Sequence, residues 1–510
     1  MACRETASGH DFLVKFRPVR ALVAAVLVLL LLAACGGADP DESEDDADRR
    51  TTPAGSATPE TPDEDGPDAP DDLSGAVSET REDSVYPDFG DPLVDALHYD
   101  LSLAWTPEAD TLVATERLTF RATADAERVQ LDFDDALAID SLTIDGEDAT
   151  YERTEKDLLV DHAVAADQQY VLELAYSGTP ESYDAPTQRS DFAEGVGWNI
   201  TDEHEVWTIQ EPYGAFTWYA TNDQPADKAY YDFTLTVPAP WTGIANGELT
   251  DTTETDGLRT TTWHLAEPAA SYLVTVAFAD YTPIELESSS GVPITIWGPT
   301  DDPAAIGETE YAPEAMDWLE QYLGPYPFDT FGILVYDGSS GMETQTMVTL
   351  GATEYSTSRE VVVHELAHHW YGDTVTPSDW IDVWMNEGMA MYLQGMWEAE
   401  DEGITVEEKM DSWAEFEDEE RAYAGPPADY DPTNFGSGNI YFGPALMWHE
   451  LRERVGDDVF FALLEDWPAD QENGNADRAE YEAFIERETG EELTAFFDDW
   501  LLGERTPPRE

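Results

Sequence analysis

Hydrophobic and polar residues alternate through much of the chain between residues 91 and 283. A period of two predicts β-strands with one buried face and one solvated face. Three such faces are Leu112, Ala114, Leu118 and Phe120, then Val129, Leu131 and Phe133, and then Tyr231, Phe233, Leu235 and Val237. Asn246-Gly247 is a typical hairpin turn. The pattern predicts an antiparallel β domain over residues 91–283.

The hydrophobic period changes after residue 283. Residues 331–336 (FGILVY) predict one short buried strand, but residues 313–323 have apolar positions at helical spacing. Pro313 lies in the first turn of that helix and Gly324 at its end. Most segments from residue 441 onward also have a helical pattern. Residues 284–510 therefore form a second, mainly helical domain, and the fold class is α+β.

One predicted helix carries a metal-binding pattern, His364-Glu365-Leu366-Ala367-His368. Residues 357–360 resemble a capping box, and Gly372 is a natural end for the helix. Positions i and i+4 share one helix face, so the two imidazoles can bind one divalent metal, which is usually zinc. A catalytic zinc has three protein ligands, and Glu387 is the candidate third. The alternative is an ordinary amphipathic helix with two surface histidines.

The amino-acid sequence around this motif resembles that of a known family. Residues 364–392, HELAHHWYGDTVTPSDWIDVWMNEGMAMY, resemble the active-site segment of the gluzincin zinc peptidases of the aminopeptidase N and leukotriene hydrolase type. Residues 218–233 and 270–278 resemble that family's N-terminal domain. The resemblance implies an N-terminal antiparallel β saddle domain, a thermolysin-like catalytic domain and a short form that lacks the C-terminal helical domain.

The resemblance also implies roles for the motif residues. His364, His368 and Glu387 would bind one zinc ion per chain, and Glu365 would be the general base. Zinc lowers the pKa of a bound water to about 7 and polarises a carbonyl oxygen. Glu365 can then take the proton of the attacking water and pass it to the leaving nitrogen. Tyr441 stands where the family has its oxyanion-stabilising tyrosine, although Gly443-Pro444 departs from the basic residue and glycine that usually follow.

An exopeptidase needs a negative site for the free α-amine of its substrate. Residues 340–344 (SGMET) stand in the place of the family's G-x-M-E-N element, which makes Glu343 the candidate amine anchor. Gly341 and Met342 would lie on an edge strand that pairs with an extended peptide. Glu211 corresponds to a second family carboxylate from the β domain, whereas Gln210 is shifted by one position from the family's glutamine.

The chain is strongly acidic, with 24 Lys+Arg against 110 Asp+Glu and a formal net charge of −86. Such a field repels phosphate, so nucleic acid is excluded as a partner. Scarce lysine on an acidic surface indicates a high-salt environment, where screening removes most self-repulsion.

The N-terminal segment predicts export. Basic residues followed by an apolar run to residue 34 form a signal peptide, and Leu32-Ala33-Ala34-Cys35-Gly36 resembles a bacterial lipobox with Cys35 as the lipidated residue. A plain signal peptide is the alternative. The only other cysteine, Cys3, lies in the removed segment, so the mature chain has no disulfide. Residues 35–90, rich in Asp, Glu, Pro and Ser, are expected to form a disordered tether.

Together these features predict an exported zinc aminopeptidase, anchored by lipid at the extracytoplasmic face of the cell membrane, that releases N-terminal residues from peptides. Two alternatives remain open. One is a zinc endopeptidase with an open cleft, and the other is a catalytically inactive surface-binding lipoprotein.

Overall fold

The computed structural model of the protein describes residues 72–509. The predicted signal segment (1–34), Cys35 and the predicted tether up to residue 71 lie outside the described residues. Every helix in the described part of the chain is either too short or too polar to serve as a membrane span.

The first domain is built from β-strands. In chain order they are β1 (Val94–Thr106), β2 (Thr111–Ala122), β3 (Val129–Asp132), β4 (Leu137–Ile144), β5 (Glu147–Asp148), β6 (Thr150–Arg153), β7 (Asp157–Asp161), β8 (Gln169–Gly178), β9 (Gly197–Ile200), β10 (Val206–Ile209), β11 (Lys228–Pro238), β12 (Thr242–Ala245), β13 (Glu248–Thr255), β14 (Leu258–Ala270) and β15 (Val276–Ala279). They form an eight-stranded sheet of order β13-β14-β11-β1-β2-β8-β4-β5, a four-stranded sheet β12-β15-β10-β9 and a three-stranded sheet β3-β7-β6.

Alternation correctly predicts the buried faces of these strands. All members of the three apolar faces identified in the sequence are buried. The sheets are antiparallel, except that β1 and β11 pair in parallel. A parallel pair needs a long crossover, and here more than a hundred residues separate the two strands. The local hydrophobic pattern therefore could not predict that β1 and β11 pair.

The hairpin predicted at Asn246-Gly247 is wrong. The turn is present, but it joins β12 to β13, which belong to different sheets. The side chain of Asn246 is fully buried and donates to the carbonyl oxygens of Leu273 and Gln345. These tertiary contacts, rather than strand pairing, therefore determine this corner.

The second domain is mainly helical. Its strands are β16 (Tyr281–Glu287), β17 (Pro293–Pro299), β18 (Phe331–Tyr336), β19 (Gly341–Met342), β20 (Met347–Gly351), β21 (Val375–Pro377) and β22 (Gly474–Ala476). Its α-helices are α1 (Ala312–Leu323), α2 (Arg359–Ala367), α3 (Trp384–Glu402), α4 (Val406–Ala424), α5 (Phe442–Val455), α6 (Asp457–Asp470), α7 (Arg478–Thr489) and α8 (Thr494–Leu501). A five-stranded sheet, β16-β17-β18-β20-β19, packs with these helices, and β19 forms its edge as expected. Because β16 starts at Tyr281, this sheet begins slightly before the predicted boundary at residue 284.

The start of α2 differs from the predicted capping box. Ser358 is the N-cap residue, but its side chain makes no capping hydrogen bond. Thr357 instead donates its hydroxyl to the carbonyl oxygen of Thr353 in the preceding turn. After Ala367 the chain continues as a π-helical turn, His369–Asp373, in which Gly372 has a φ of 143°. The helix therefore ends close to the predicted glycine, but by a wider turn.

The last part of the predicted tether is packed rather than free. Asp83 accepts the backbone N–H groups of Tyr86 and Trp380, and Phe89 stacks on Tyr213 with ring centroids 3.9 Å apart. The prediction that residues 35–90 are all disordered is thus wrong for residues 72–90. The prediction failed because the segment's polar composition outweighed its few aromatic side chains, which pack against both domains.

Candidate functional site

Two helices of the second domain carry the predicted metal ligands. Helix α2 supplies His364, its C-cap residue is His368 one turn later, and the first turn of α3 supplies Glu387. The two helices pack against each other, so side chains that are about twenty residues apart in sequence converge. All three residues are buried.

The three side chains have the spacing of a zinc site. The Nε2 atoms of His364 and His368 lie 3.1 Å apart, and they lie 3.3 Å and 3.4 Å from Oε2 of Glu387. Ligands held about 2.0–2.1 Å from a tetrahedral zinc are separated from one another by roughly 3.3 Å. Oε2 of Glu387 has no hydrogen-bond partner among the described residues. The donor set and its spacing therefore fit one zinc ion.

Neighbouring groups orient these ligands. Nδ1 of His368 lies 3.2 Å from the carbonyl oxygen of Tyr371, so an N–H there leaves Nε2 free for a metal. Oε1 of Glu387 accepts a hydrogen bond of 3.1 Å from the Tyr441 hydroxyl. A Cβ at position 372 would lie only 3.3 Å from Nδ1 of His368, so the glycine helps this ring to pack closely.

Burial and neighbouring charges shift the pKa values of the three ligands in different directions. Burial lowers the pKa of His364. Burial acts in the same direction on His368, but the carboxylates of Glu343 and Glu387 outweigh it and hold the pKa of His368 well above its usual value. Burial raises the pKa of Glu387, yet His368 and His364 reverse this and lower it strongly. Both shifts belong to the metal-free site, where His368 and Glu387 form an ion pair, and binding of a zinc ion would release the proton of His368 while Glu387 stays ionised.

Glu365 lies beside the ligands, against the edge strand β19. A Cβ at position 341 would be 2.5 Å from Oε1 of Glu365, so a larger residue there would displace the carboxylate of Glu365. Burial raises the pKa of Glu365 to about 8 against the opposing field of His368, and Glu343 adds to the rise. Met342, the next residue of β19, is buried. The structure thus brings Gly341, Met342 and Glu365 to one wall of the site.

Glu343 and Glu211 meet on another side. One oxygen from each lies within 4.8 Å of an oxygen of Glu387, and both residues are buried. Neither carboxylate receives a hydrogen bond from another residue of the described chain, and Oε1 of each is fully enclosed. Burial raises both pKa values, and for Glu211 the repulsion of Glu343 comes next. Two buried acids without a cation form a receptor for a positive group.

Gln210 does not contribute to this receptor. Its Nε2 donates to the carbonyl oxygens of Ser271 and Val274, and its Oε1 accepts from Nε1 of Trp218. These hydrogen bonds hold the Gln210 side chain inside the β domain.

Tyr441 immediately precedes α5, with its ring 6.0 Å from that of His364. Its hydroxyl also accepts a hydrogen bond of 3.1 Å from Nη1 of Arg189, a residue of the β domain. Burial and Glu387 raise the pKa of Tyr441 well above its usual value, and Arg189 opposes them. Sequence reasoning missed Arg189 because no motif surrounds it. Its only signal is that it is the one Lys or Arg between residues 181 and 205.

Comparison with protein families assigns both domains. Residues 95–273 match the Peptidase M1 N-terminal domain, and residues 308–500 match the Peptidase family M1 domain. Human aminopeptidase N is 28% identical over 260 residues, which is 46% of this chain and 26% of that protein. Aminopeptidase N of Streptomyces lividans is 25% identical over 336 residues, 59% of this chain and 38% of that protein. The alignments therefore span well under half the length of these curated relatives.

Comparison with solved structures extends over a larger part of the chain than the sequence alignments do. The crystal structure of an M1 zinc metallopeptidase from Deinococcus radiodurans has a TM-score of 0.76 at 26% identity, covering 84% of this chain and 99% of that one. A mutant form of that protein has been solved with a Tyr-Ser-Ala substrate bound. These comparisons confirm the fold predicted from the sequence, a β saddle domain followed by a helical catalytic domain.

The two matched domains follow each other in the family's order, cover well over half of the chain, and enclose side chains spaced for one zinc ion. The chain belongs to peptidase family M1, a family of zinc metallopeptidases.

Proposed function

We propose that the protein is a zinc aminopeptidase, which hydrolyses the bond after the N-terminal residue of a peptide. The observation that carries the proposal is the pair of unpartnered carboxylates, Glu211 and Glu343, directly beside the ligand set of His364, His368 and Glu387. The ligand set accounts for a metallopeptidase. The unpartnered carboxylates account for recognition of a free amine.

The amine site would determine which bond is cut. A substrate ammonium group placed between Glu211 and Glu343 would neutralise two buried acids that otherwise repel each other. The first peptide bond would then lie next to the zinc ligands, because the oxygens of Glu211, Glu343 and Glu387 are within 4.8 Å of one another. The open backbone edge of β19, Gly341 and Met342, would hold the extended peptide.

Each remaining side chain has a role in the hydrolysis. A zinc ion held by His364, His368 and Glu387 would supply a Lewis acid that polarises the scissile carbonyl and acidifies water. Glu365, placed against β19, would take a proton from the attacking water and give it to the departing amine. The Tyr441 hydroxyl would donate to the oxygen that becomes negative. The Tyr-Ser-Ala complex of the Deinococcus radiodurans protein supports a peptide substrate for this site.

A panel of aminoacyl chromogenic amides tests the proposal. The protein should release N-terminal residues, lose this activity to a chelator and recover it with zinc. Peptides with an acetylated N-terminus should be left intact, because they carry no ammonium for Glu211 and Glu343. Equal rates on free and acetylated peptides would favour the endopeptidase alternative. The absence of any metal-dependent hydrolysis would favour the inactive lipoprotein.

We also propose, from the sequence alone, that the protein is exported and anchored by a lipid on Cys35 in a high-salt environment. The motif of residues 32–36 supports the anchor, and the net charge of −86 supports the salt requirement. Labelling cells with a radioactive fatty acid should mark the wild type but not Cys35→Ala. Unfolding midpoints that do not rise with salt would contradict the second part.

A further inference from the structure

A loop of the β domain reaches into the catalytic site. It contains the short 3-10 helix Ser190–Phe192, and Arg189 immediately precedes that helix. Nη1 of Arg189 donates to the Tyr441 hydroxyl at 3.1 Å and to the carbonyl oxygen of Gly436 at 3.2 Å. A Cβ at position 436 would lie 3.0 Å from that nitrogen, so the glycine admits the guanidinium. The contact joins the two domains at the predicted oxyanion-stabilising tyrosine.

The guanidinium is held from its other side as well. Nε and Nη2 of Arg189 bond to the two oxygens of Asp191 at 3.2 Å and 2.5 Å, and the ring of Phe192 lies beneath the guanidinium. Oδ2 of Asp191 accepts the hydroxyl of Ser340, which precedes β19. A two-pronged ion pair limits the rotation of the arginine. The loop therefore connects the wall of the site that carries β19 to the wall that carries Tyr441.

These contacts determine the direction of the tyrosine's proton. A guanidinium can only donate hydrogen bonds, so the Tyr441 oxygen is an acceptor towards Arg189. Its own hydrogen must then point elsewhere, and Oε1 of Glu387 lies 3.1 Å away. The hydrogen is thus turned towards the zinc ligands before any substrate arrives. Arranging donors in advance lowers the reorganisation needed in the transition state.

We propose that Arg189 is a positioning residue, which keeps the hydrogen of the Tyr441 hydroxyl on the side of the zinc ligands, from where it can shift from Glu387 to the developing oxyanion. The family pattern has a basic residue two positions after the tyrosine, where this chain has Gly443. Here the cation next to the tyrosine comes from the β domain. The proposal rests on the proposed peptidase function, because it assigns Arg189 a part in that reaction.

The effect should fall mainly on the transition state. The amine site at Glu211 and Glu343 receives no hydrogen bond from Arg189, and only the guanidinium charge acts on it by opposing the rise in the pKa of Glu211, so binding of the ground-state substrate should change little. Arg189→Ala should lower kcat by about ten- to a hundredfold with KM within roughly twofold, which is less than the loss of a complete oxyanion donor. Arg189→Lys keeps the charge without the two-pronged geometry and should restore part of the rate. Arg128→Ala is the matched control, since Arg128 lies in the same domain and pairs only with Glu152 and Asp161.

A double-mutant cycle tests whether Arg189 acts through Tyr441. In the Tyr441→Phe background, Arg189→Ala should lower kcat by less than about threefold, since the hydroxyl that it orients is gone. An equal factor in both backgrounds would overturn the proposal, as would a wild-type rate in Arg189→Ala. Zinc content is measured for every variant and should match the wild type. Rates are compared well below the thermal midpoint of each variant, because Arg189→Ala leaves Asp191 and the carbonyl oxygen of Gly436 without this donor and should be less stable.

Crystal structures of the wild type and of Arg189→Ala give a reading that does not depend on turnover. The Tyr441 hydroxyl should lie within hydrogen-bonding distance of Glu387 in the wild type and should leave that position in the variant. A hydroxyl that stays in place would overturn the positioning role. If wild type and Arg128→Ala both lack activity with zinc supplied, the proposed function fails, and these two structures alone decide the role of Arg189.

Discussion

The carboxylates buried in the core of the β domain and the carboxylates that face the catalytic cleft differ in their hydrogen bonds. Asp95 accepts the backbone N–H of Ser78 and Nε of Arg121, and Asp227 accepts the N–H of Ala96 and an N–H of the Asn222 amide. In the cleft, no other residue of the described chain donates a hydrogen bond to the carboxylate of Glu211, Glu343 or Glu365.

This difference separates structural acids from acids kept for ligands. Burying a carboxylate without a donor costs stability, whereas an acid with donors supports its surroundings. A group of unpartnered acids persists in a fold because something that is absent from the protein chain completes it. Here a zinc ion, a substrate ammonium and a water proton are the missing partners that we propose. Four changes test this contrast, in order of expected effect.

The largest effect is expected for Glu365→Gln. The amide keeps the shape of the side chain but cannot accept a proton, so kcat should fall by about 10³- to 10⁴-fold. Metal content and the free energy of unfolding should not decrease. Glu360→Gln, on the same helix but outside the site, should retain the wild-type rate. Normal turnover by Glu365→Gln would remove the general base from the mechanism.

The next effect is expected for Glu343→Gln. Loss of one partner from a buried charge pair costs about 2–5 kcal/mol, so kcat/KM for substrates with a free amine should fall by roughly 10²-fold or more. Hydrolysis of acetylated peptides should stay at the background level of the wild type. Glu354→Gln, an exposed acid of the following loop, is the control. A uniform loss on both substrate types would contradict an amine anchor.

Stability should respond in opposite directions in the two regions. Asp227→Ala leaves an N–H and an amide buried without their acceptor, and should lower the free energy of unfolding by about 1–3 kcal/mol with kcat unchanged. Glu343→Gln removes repulsion among buried acids and should leave the metal-free protein equally stable or more stable. Urea denaturation of both variants in the presence of a chelator measures this. Equal destabilisation by both changes would erase the contrast between the regions.

The smallest effect concerns pH. Burial raises the pKa of Asp232, but hydrogen bonds from His264 and His98 outweigh it and lower the value overall, so its stabilising contribution is lost as pH falls below about 4. The hydrogen bond to Asp232 raises the pKa of His264, so that contribution is present below about 6.5 and is lost as pH rises through the folded value.

The pair should therefore stabilise the fold most between about pH 4 and 6.5. Because His264 is partly exposed, Asp232→Asn should cost only about 0.5–1 kcal/mol more at pH 5.5 than at pH 8.5. Denaturation curves at the two pH values give the difference. A larger cost at the higher pH would show that the assigned protonation states are wrong.

Local pattern predicted what local physics determines. Strand faces such as that of Leu112 and Phe120 follow from period two, and α1 follows from its apolar spacing, with Pro313 in its first turn and Gly324 at its end. The positions of His364, His368, Glu365 and Glu387 followed from motif spacing. Contacts between distant segments were not readable. Asn246 turns between two sheets, residues 72–90 pack across both domains, and Arg189 reaches Tyr441 from another domain, and none of these contacts leaves a periodic or motif signal.

Metal content tests the central claim most directly. The purified protein should bind one zinc ion per chain, and Glu387→Ala should weaken that affinity by at least about 10²-fold in a competition titration with a chromogenic chelator. The control, Glu402→Ala at the far end of the same helix, should bind zinc as the wild type does. Protein that takes up no stoichiometric zinc, or a Glu387→Ala variant that binds it unchanged, would contradict the account.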